Sequence, residues 1–130
     1  MVWYCEVMRP FQLVSLVLVS CSGGGSSGPD AAPDSPPVKV VALSSCPTTV
    51  AATVVDSPTM FVPAMTTIRV GEVVKFTINA EHFVIPNVGA ASDPALMVSR
   101  GETKCFRFNV TGTYGFVCGV HGFAGTITVQ

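Results

Sequence analysis

The sequence predicts an all-β domain of about seven to eight short strands, folded as a two-sheet sandwich or a barrel. Three observations point there. Twelve glycines and ten prolines punctuate short runs rich in Val, Thr and Phe, the pattern of strands separated by turns. Residues 73–79 alternate Val73, Lys75, Thr77 and Asn79 against Val74, Phe76 and Ile78, the period of a strand with one buried face. No stretch sustains a helical period. At 130 residues the chain has enough length for one domain with a real core. Only 12% of residues are charged and the formal net charge is −1. That excludes the basic footprint nucleic acid demands and argues against strong steering by overall charge.

The elements follow in order. Residues 11–20 read F-Q-L-V-S-L-V-L-V-S after Arg9. This apolar run falls short of the roughly 20 residues of a membrane-spanning helix and suits the core of an export signal. Leu18-Val19-Ser20-Cys21 resembles the bacterial lipobox, which implies cleavage before Cys21 and a lipid on its thiol. Residues 1–20 are therefore expected to be a lipoprotein-type signal peptide, with Met8 as a cleaner start than Met1. A plain secretory signal and a buried hydrophobic segment are the alternatives. Residues 21–37 carry Gly and Ser, then Pro and Asp, with no apolar periodicity. They read as a tether reaching roughly 20–25 Å as a coil. Residues 38–130 form the expected domain, with strand-like runs at 38–43, 50–55, 66–70, 73–79, 82–85, 95–98, 103–110, 113–118 and 125–129.

The chemistry lies near the C-terminus. Cys118 ends a strand-like run and His121 follows in a short loop, while His82 stands far upstream; the chain has two histidines in all. One thiolate and two imidazoles from two segments make a trigonal set suited to copper in both oxidation states. Zinc would want a fourth ligand or a water, for which Glu81 is the available carboxylate. Cys–His catalysis would need an oriented base and an oxyanion hole, and nothing points to a third member, so no enzyme is expected. A merely structural role for the three residues is the plain alternative. Of five cysteines, Cys5 lies in the signal region and Cys21 is the lipid site. If Cys118 binds metal, Cys46 and Cys105 remain to form a bridge in an oxidising compartment. Closing so long a loop is worth on the order of 4–5 kcal/mol by the chain-entropy argument. Two buried free thiols are the other reading.

The order of motifs resembles the cupredoxins of the plastocyanin/amicyanin group, over roughly residues 50–130. Phe61-Val62-Pro63 and the run Ile68-Arg69-Val70-Gly71-Glu72-Val73-Val74-Lys75-Phe76-Thr77-Ile78 resemble that family's approach to its first histidine. Gly112-Thr113-Tyr114-Gly115-Phe116-Val117-Cys118 resembles its approach to the cysteine ligand. The resemblance implies a Greek-key β-sandwich and one copper ion held by His82, Cys118 and His121. It also implies electron transfer with a redox partner protein outside the cytoplasm; together with the lipobox-like motif, this gives an expected monomer that touches the membrane only through its lipid. Copper buffering or delivery without redox turnover, or a metal-free interaction domain, are the competing functions.

Two positions depart from the family. Its axial methionine is replaced by Ala124, and Met60, Met65 and Met97 lie outside that loop. Its loop-bracing asparagine after the first histidine is replaced by Phe83. With Phe83, Phe116 and Phe123 as an apolar shell, these departures imply a high reduction potential. Phe106, Phe108, Tyr114 and Phe116 read as core residues. Phe123, beside His121, reads as a docking group or as ordinary loop packing.

Overall fold

The computed structural model describes residues 35–89 and 91–130. The expected signal peptide, Cys21 and most of the expected tether lie outside the described residues. Ser35, Pro36 and Pro37, the end of that tether, are exposed and carry no regular structure.

Among the described residues, nine strands form two sheets. They are β1 (Val40–Ala42), β2 (Ala52–Asp56), β3 (Phe61–Val62), β4 (Met65–Ile68), β5 (Val73–Thr77), β6 (Val84–Pro86), β7 (Thr103–Phe108), β8 (Gly112–Cys118) and β9 (Ala124–Val129). One sheet has the order β1-β7-β5-β2-β3 and the other β4-β9-β8-β6. The pairs β2–β5 and β4–β9 are parallel and the remaining pairs antiparallel. The result is the all-β sandwich that the strand pattern implied, with two differences in detail. The two-residue β3 was not expected. The run at 95–98 is not a strand, and only Val98 makes an isolated bridge, to Val84. Asp93 explains this: its Oδ1 accepts the Ala95 N–H at 2.8 Å and its carbonyl accepts the Leu96 N–H at 3.1 Å. Such an Asx turn diverts the backbone from a ladder, although Leu96 itself is fully buried.

The core lies between the sheets. Val74, Phe76 and Ile78, one alternating set of β5 and its extension, are buried, as are Phe106 and Phe108 of β7. Phe76 meets Phe106 edge-on at 5.6 Å and Phe116, from the other sheet, at 5.1 Å. Phe61 continues the aromatic row, 4.9 Å from Phe116. Each such ring stabilises the fold by about 1.5–3 kcal/mol through removal from water. Cys105 points from the opposite set of β7 yet is also buried, because it is bonded to Cys46.

Candidate metal centre

Strand register brings the site together. In the β6–β8 pair, Val84 lies opposite Cys118, so His82, two residues before Val84, arrives beside the end of β8. A turn in which the His82 N–H donates to the Asn79 carbonyl at 3.2 Å directs the ring inward. His82 is 3% exposed and Cys118 1%. Between β8 and β9 the chain doubles back. The Gly122 N–H donates to the Cys118 carbonyl at 2.9 Å, and the Cys118 N–H to the Phe123 carbonyl at 2.8 Å. Gly122 takes φ = +74°, a left-handed conformation that glycine adopts without a Cβ penalty. This tight loop carries His121, which is exposed.

The three expected donors converge. One ligand atom from each of His82, Cys118 and His121 lies within 4.8 Å of the others. Cys118 Sγ is 4.0 Å from Nδ1 of His121, and the two imidazole rings stand 4.9 Å apart at 80°. Cys118 is the free cysteine among the described residues. The donor set of one soft sulfur and two imidazoles fits copper. Among the described residues no further His, Cys, Asp or Glu joins the cluster. Glu81 stays outside it, exposed, with its carbonyl accepting from Arg100 Nη1 at 3.0 Å.

No protein-family model matches the chain. It is 34% identical over 85 residues to the plastocyanin of Scenedesmus fuscus, an alignment covering 55% of this chain and 87% of that protein. Among solved structures it is similar to amicyanin from Paracoccus versutus, with TM-score 0.57 and 20% identity, covering 71% of this chain and 98% of that one. A Cu(I) form of an amicyanin mutant gives TM-score 0.57 at 21% identity, covering 72% and 100%.

The chain belongs to the cupredoxin family of blue copper proteins.

The surroundings of the cluster in this cupredoxin are strongly apolar. The Phe123 ring lies 5.3 Å from His82, 4.8 Å from Phe61 and parallel to His121 at 6.1 Å. It is partly buried and packed against the core, whereas Val120, earlier in the same loop, is 44% exposed. Phe83 covers Gly119 so closely that a Cβ there would fall 2.1 Å from the Phe83 ring. The Phe83 carbonyl accepts the Gly119 N–H at 3.1 Å, and Arg100 lies over the ring at 5.2 Å. Phe83 thus braces the cysteine loop by shape and backbone. Ala124 opens β9 opposite Val117 and has no donor atom in its side chain. Met60, Met65 and Met97 are all more than half exposed.

Sequence reasoning missed Asp56. This buried carboxylate contacts Nδ1 of His82 through Oδ2, and its Oδ1 accepts the Asn79 N–H at 2.9 Å. Burial pushes its pKa up, but the hydrogen bonds from His82 and the Asn79 backbone outweigh burial and hold it below the ordinary value. Along the sequence, Asp56-Ser57-Pro58 looks like a turn after a strand. The parallel β2–β5 register, with Val55 opposite Thr77, is what carries Asp56 to the His82 turn, and a register between distant strands is not written locally.

Proposed function

We propose that this cupredoxin is an electron carrier working outside the cytoplasm, with one copper ion bound by the Cys118 thiolate and the imidazoles of His82 and His121. The reading rests on one observation: the three donor atoms, from segments far apart in the chain, lie within 4.8 Å of one another. Copper bound there supplies a one-electron couple. The residues supply the rest. Burial of Cys118 and His82 keeps water from the sulfur. The short β8–β9 loop, held at both ends by backbone hydrogen bonds, fixes His121 relative to Cys118, so little has to move when the charge changes. His121, exposed beside the half-open Val120, is the natural exit for an electron, and with the rim of Phe123 it offers a small apolar contact to a redox partner protein.

The axial direction is read as lacking a thioether. Ala124 supplies no sulfur, and the apolar shell of Phe83, Phe116 and Phe123 favours the less charged, reduced state. The expected reduction potential is therefore above that of methionine-ligated relatives. Visible absorption and electron paramagnetic resonance of the copper-loaded protein test the assignment. An intense sulfur-to-copper band, bleached reversibly by a reductant, supports it. Absence of stoichiometric copper uptake overturns it, and tight Cu(I) binding without a coloured oxidised form would leave metal delivery in its place.

The sequence features of residues 1–37 support a lipid anchor at Cys21 followed by a tether. Replacing Cys21 with Ala should move the protein from the membrane fraction to the soluble one; an unchanged distribution removes the anchor.

A further inference from the structure

We propose that Phe123 closes the remaining side of the metal centre: its ring takes the place where the family carries an axial methionine, and as a plug of carbon it bars water and small anions from the copper. The inference rests on the copper-site reading above and concerns a residue outside the ligand set. Counting along the loop after His121 puts Ala124 in that place; the strand register puts Phe123 there.

The argument is one of parity. Successive side chains of a strand point to opposite faces, and residues directly opposite one another in an antiparallel pair share a face. In the β8–β9 pair, Phe116 lies opposite Gly125 and Val117 opposite Ala124. The Cys118 N–H donates to the Phe123 carbonyl at 2.8 Å, which carries the pairing one residue further and sets Phe123 beside Cys118. Gly125, Ile127 and Val129 are the buried set of β9. Gly125 faces inward, since a Cβ there would fall 2.3 Å from the Phe116 ring. Phe123, two residues earlier, shares that inward face with Cys118. Ala124 is exposed and belongs to the outer set. A side chain there starts from the wrong face of the sheet, whatever its length of loop. The tight turn at Gly122, with φ = +74°, returns the chain one residue sooner than the count along the loop supposes.

Packing holds the ring where parity puts it. Phe123 meets His82 edge-on at 5.3 Å and lies parallel to His121 at 6.1 Å. It backs edge-on against the buried Phe61 at 4.8 Å, and Phe61 leans in turn on Phe116. A ring in such contacts cannot swing aside without opening a cavity. It offers no lone pair to a metal ion and no hydrogen-bond partner to water or an anion. A small ligand entering there would give up its hydration without replacement. Contact with both imidazoles also limits how far either can turn.

Two methionine variants decide between the positions. Phe123→Met brings a thioether to the cluster, so the copper-loaded variant should have altered visible and electron paramagnetic resonance spectra and a lower reduction potential than the wild type, the axial ligand being a lever on such sites. Ala124→Met should leave spectra and potential unchanged. The converse pattern overturns the inference. Azide is the probe of closure. Titrated into the Cu(II)-loaded protein, it should produce a new charge-transfer band with Phe123→Ala and none with the wild type. A band in the wild type, or none in Phe123→Ala, overturns the plug. Should the Phe123 variants not fold, Ala124→Met and the wild-type titration decide alone. Placement is read separately in the metal-free protein, where nuclear Overhauser contacts should join the Phe123 ring to the carbon-bound ring protons of His82 and His121. Their absence overturns the inference whatever copper does. Their presence in a protein that takes up no copper overturns the proposed function and the closing role together, while a blue copper site whose potential moves with Ala124→Met overturns the inference alone.

Discussion

Tyr114 buries its ring against Phe108, 5.2 Å away, yet keeps its hydroxyl satisfied, the O–H donating to the Val110 carbonyl at 2.7 Å. Burial, with the nearby charge of Asp93, pushes its pKa above the ordinary tyrosine value. A raised folded-state pKa favours the neutral phenol in the native protein. The stability this contributes is complete below the unfolded value, about 10, and is lost as pH climbs from there through the folded value. Urea midpoints measured across this range should fall more steeply for the wild type than for Tyr114→Phe. At neutral pH the variant should be less stable by about 0.5–1.5 kcal/mol, the net worth of one hydrogen bond. Parallel curves for the two proteins would remove Tyr114 from the alkaline transition. At this scale the sequence was informative about residues whose chemistry is rare: two histidines and a cysteine three residues before one of them leave few ways to build a site. Asp56 was illegible because an aspartate before Ser-Pro has an ordinary explanation as a turn residue, and its partner lies 26 positions away.

Strands β5 and β7 carry the pattern that made the fold readable. Each alternates large apolar and polar side chains, and their antiparallel pairing sets Val74 opposite Phe106 and Lys75 opposite Cys105. Phe76 is the element-level keystone, since its ring touches Phe106 in its own sheet and Phe116 in the facing one. Truncating it to Ala should cost about 3–5 kcal/mol, the range for a buried phenylalanine. Because Phe116 lies two residues before Cys118, the cavity should also loosen the end of β8. Chemical denaturation gives the first quantity, and a loss below about 1 kcal/mol would mean that the two sheets close over the gap. The misread elements were the short ones. β3 has two residues, Phe61 and Val62, too few to show a period. The run at 95–98 had the apolar content of a strand, but the Asp93 side chain claims the Ala95 N–H, and hydrophobicity alone does not tell a buried loop from a buried strand.

At the scale of the molecule, the order of strands was the least legible feature. β2 runs parallel to β5 and β4 runs parallel to β9, pairings across long connections that no local signal announces; the likeness of the motif order to cupredoxins implied a Greek-key sandwich but not these pairings. The disulfide is a different case, legible from counting: once Cys118 is reserved for metal, Cys46 and Cys105 are left, and they are bonded, 59 residues apart. That bond joins the segment after β1 to the middle of β7, next to the β7–β5 pairing that runs through Cys105 and Lys75. It closes a loop that contains β2 to β6, including Asp56 and His82. Removing it frees this whole segment in the unfolded chain, and the chain-entropy argument puts the resulting loss at about 4 kcal/mol for a loop of this length. The double variant Cys46→Ser, Cys105→Ser should therefore unfold at markedly lower urea concentration. Its copper site should keep its spectrum under native conditions, because none of the three donors belongs to the bridge. Should the spectrum be lost while the domain remains folded, the bridge positions the ligands as well as restricting the unfolded chain. An unchanged urea midpoint would mean instead that native-state strain or residual structure in the unfolded chain cancels the entropic gain.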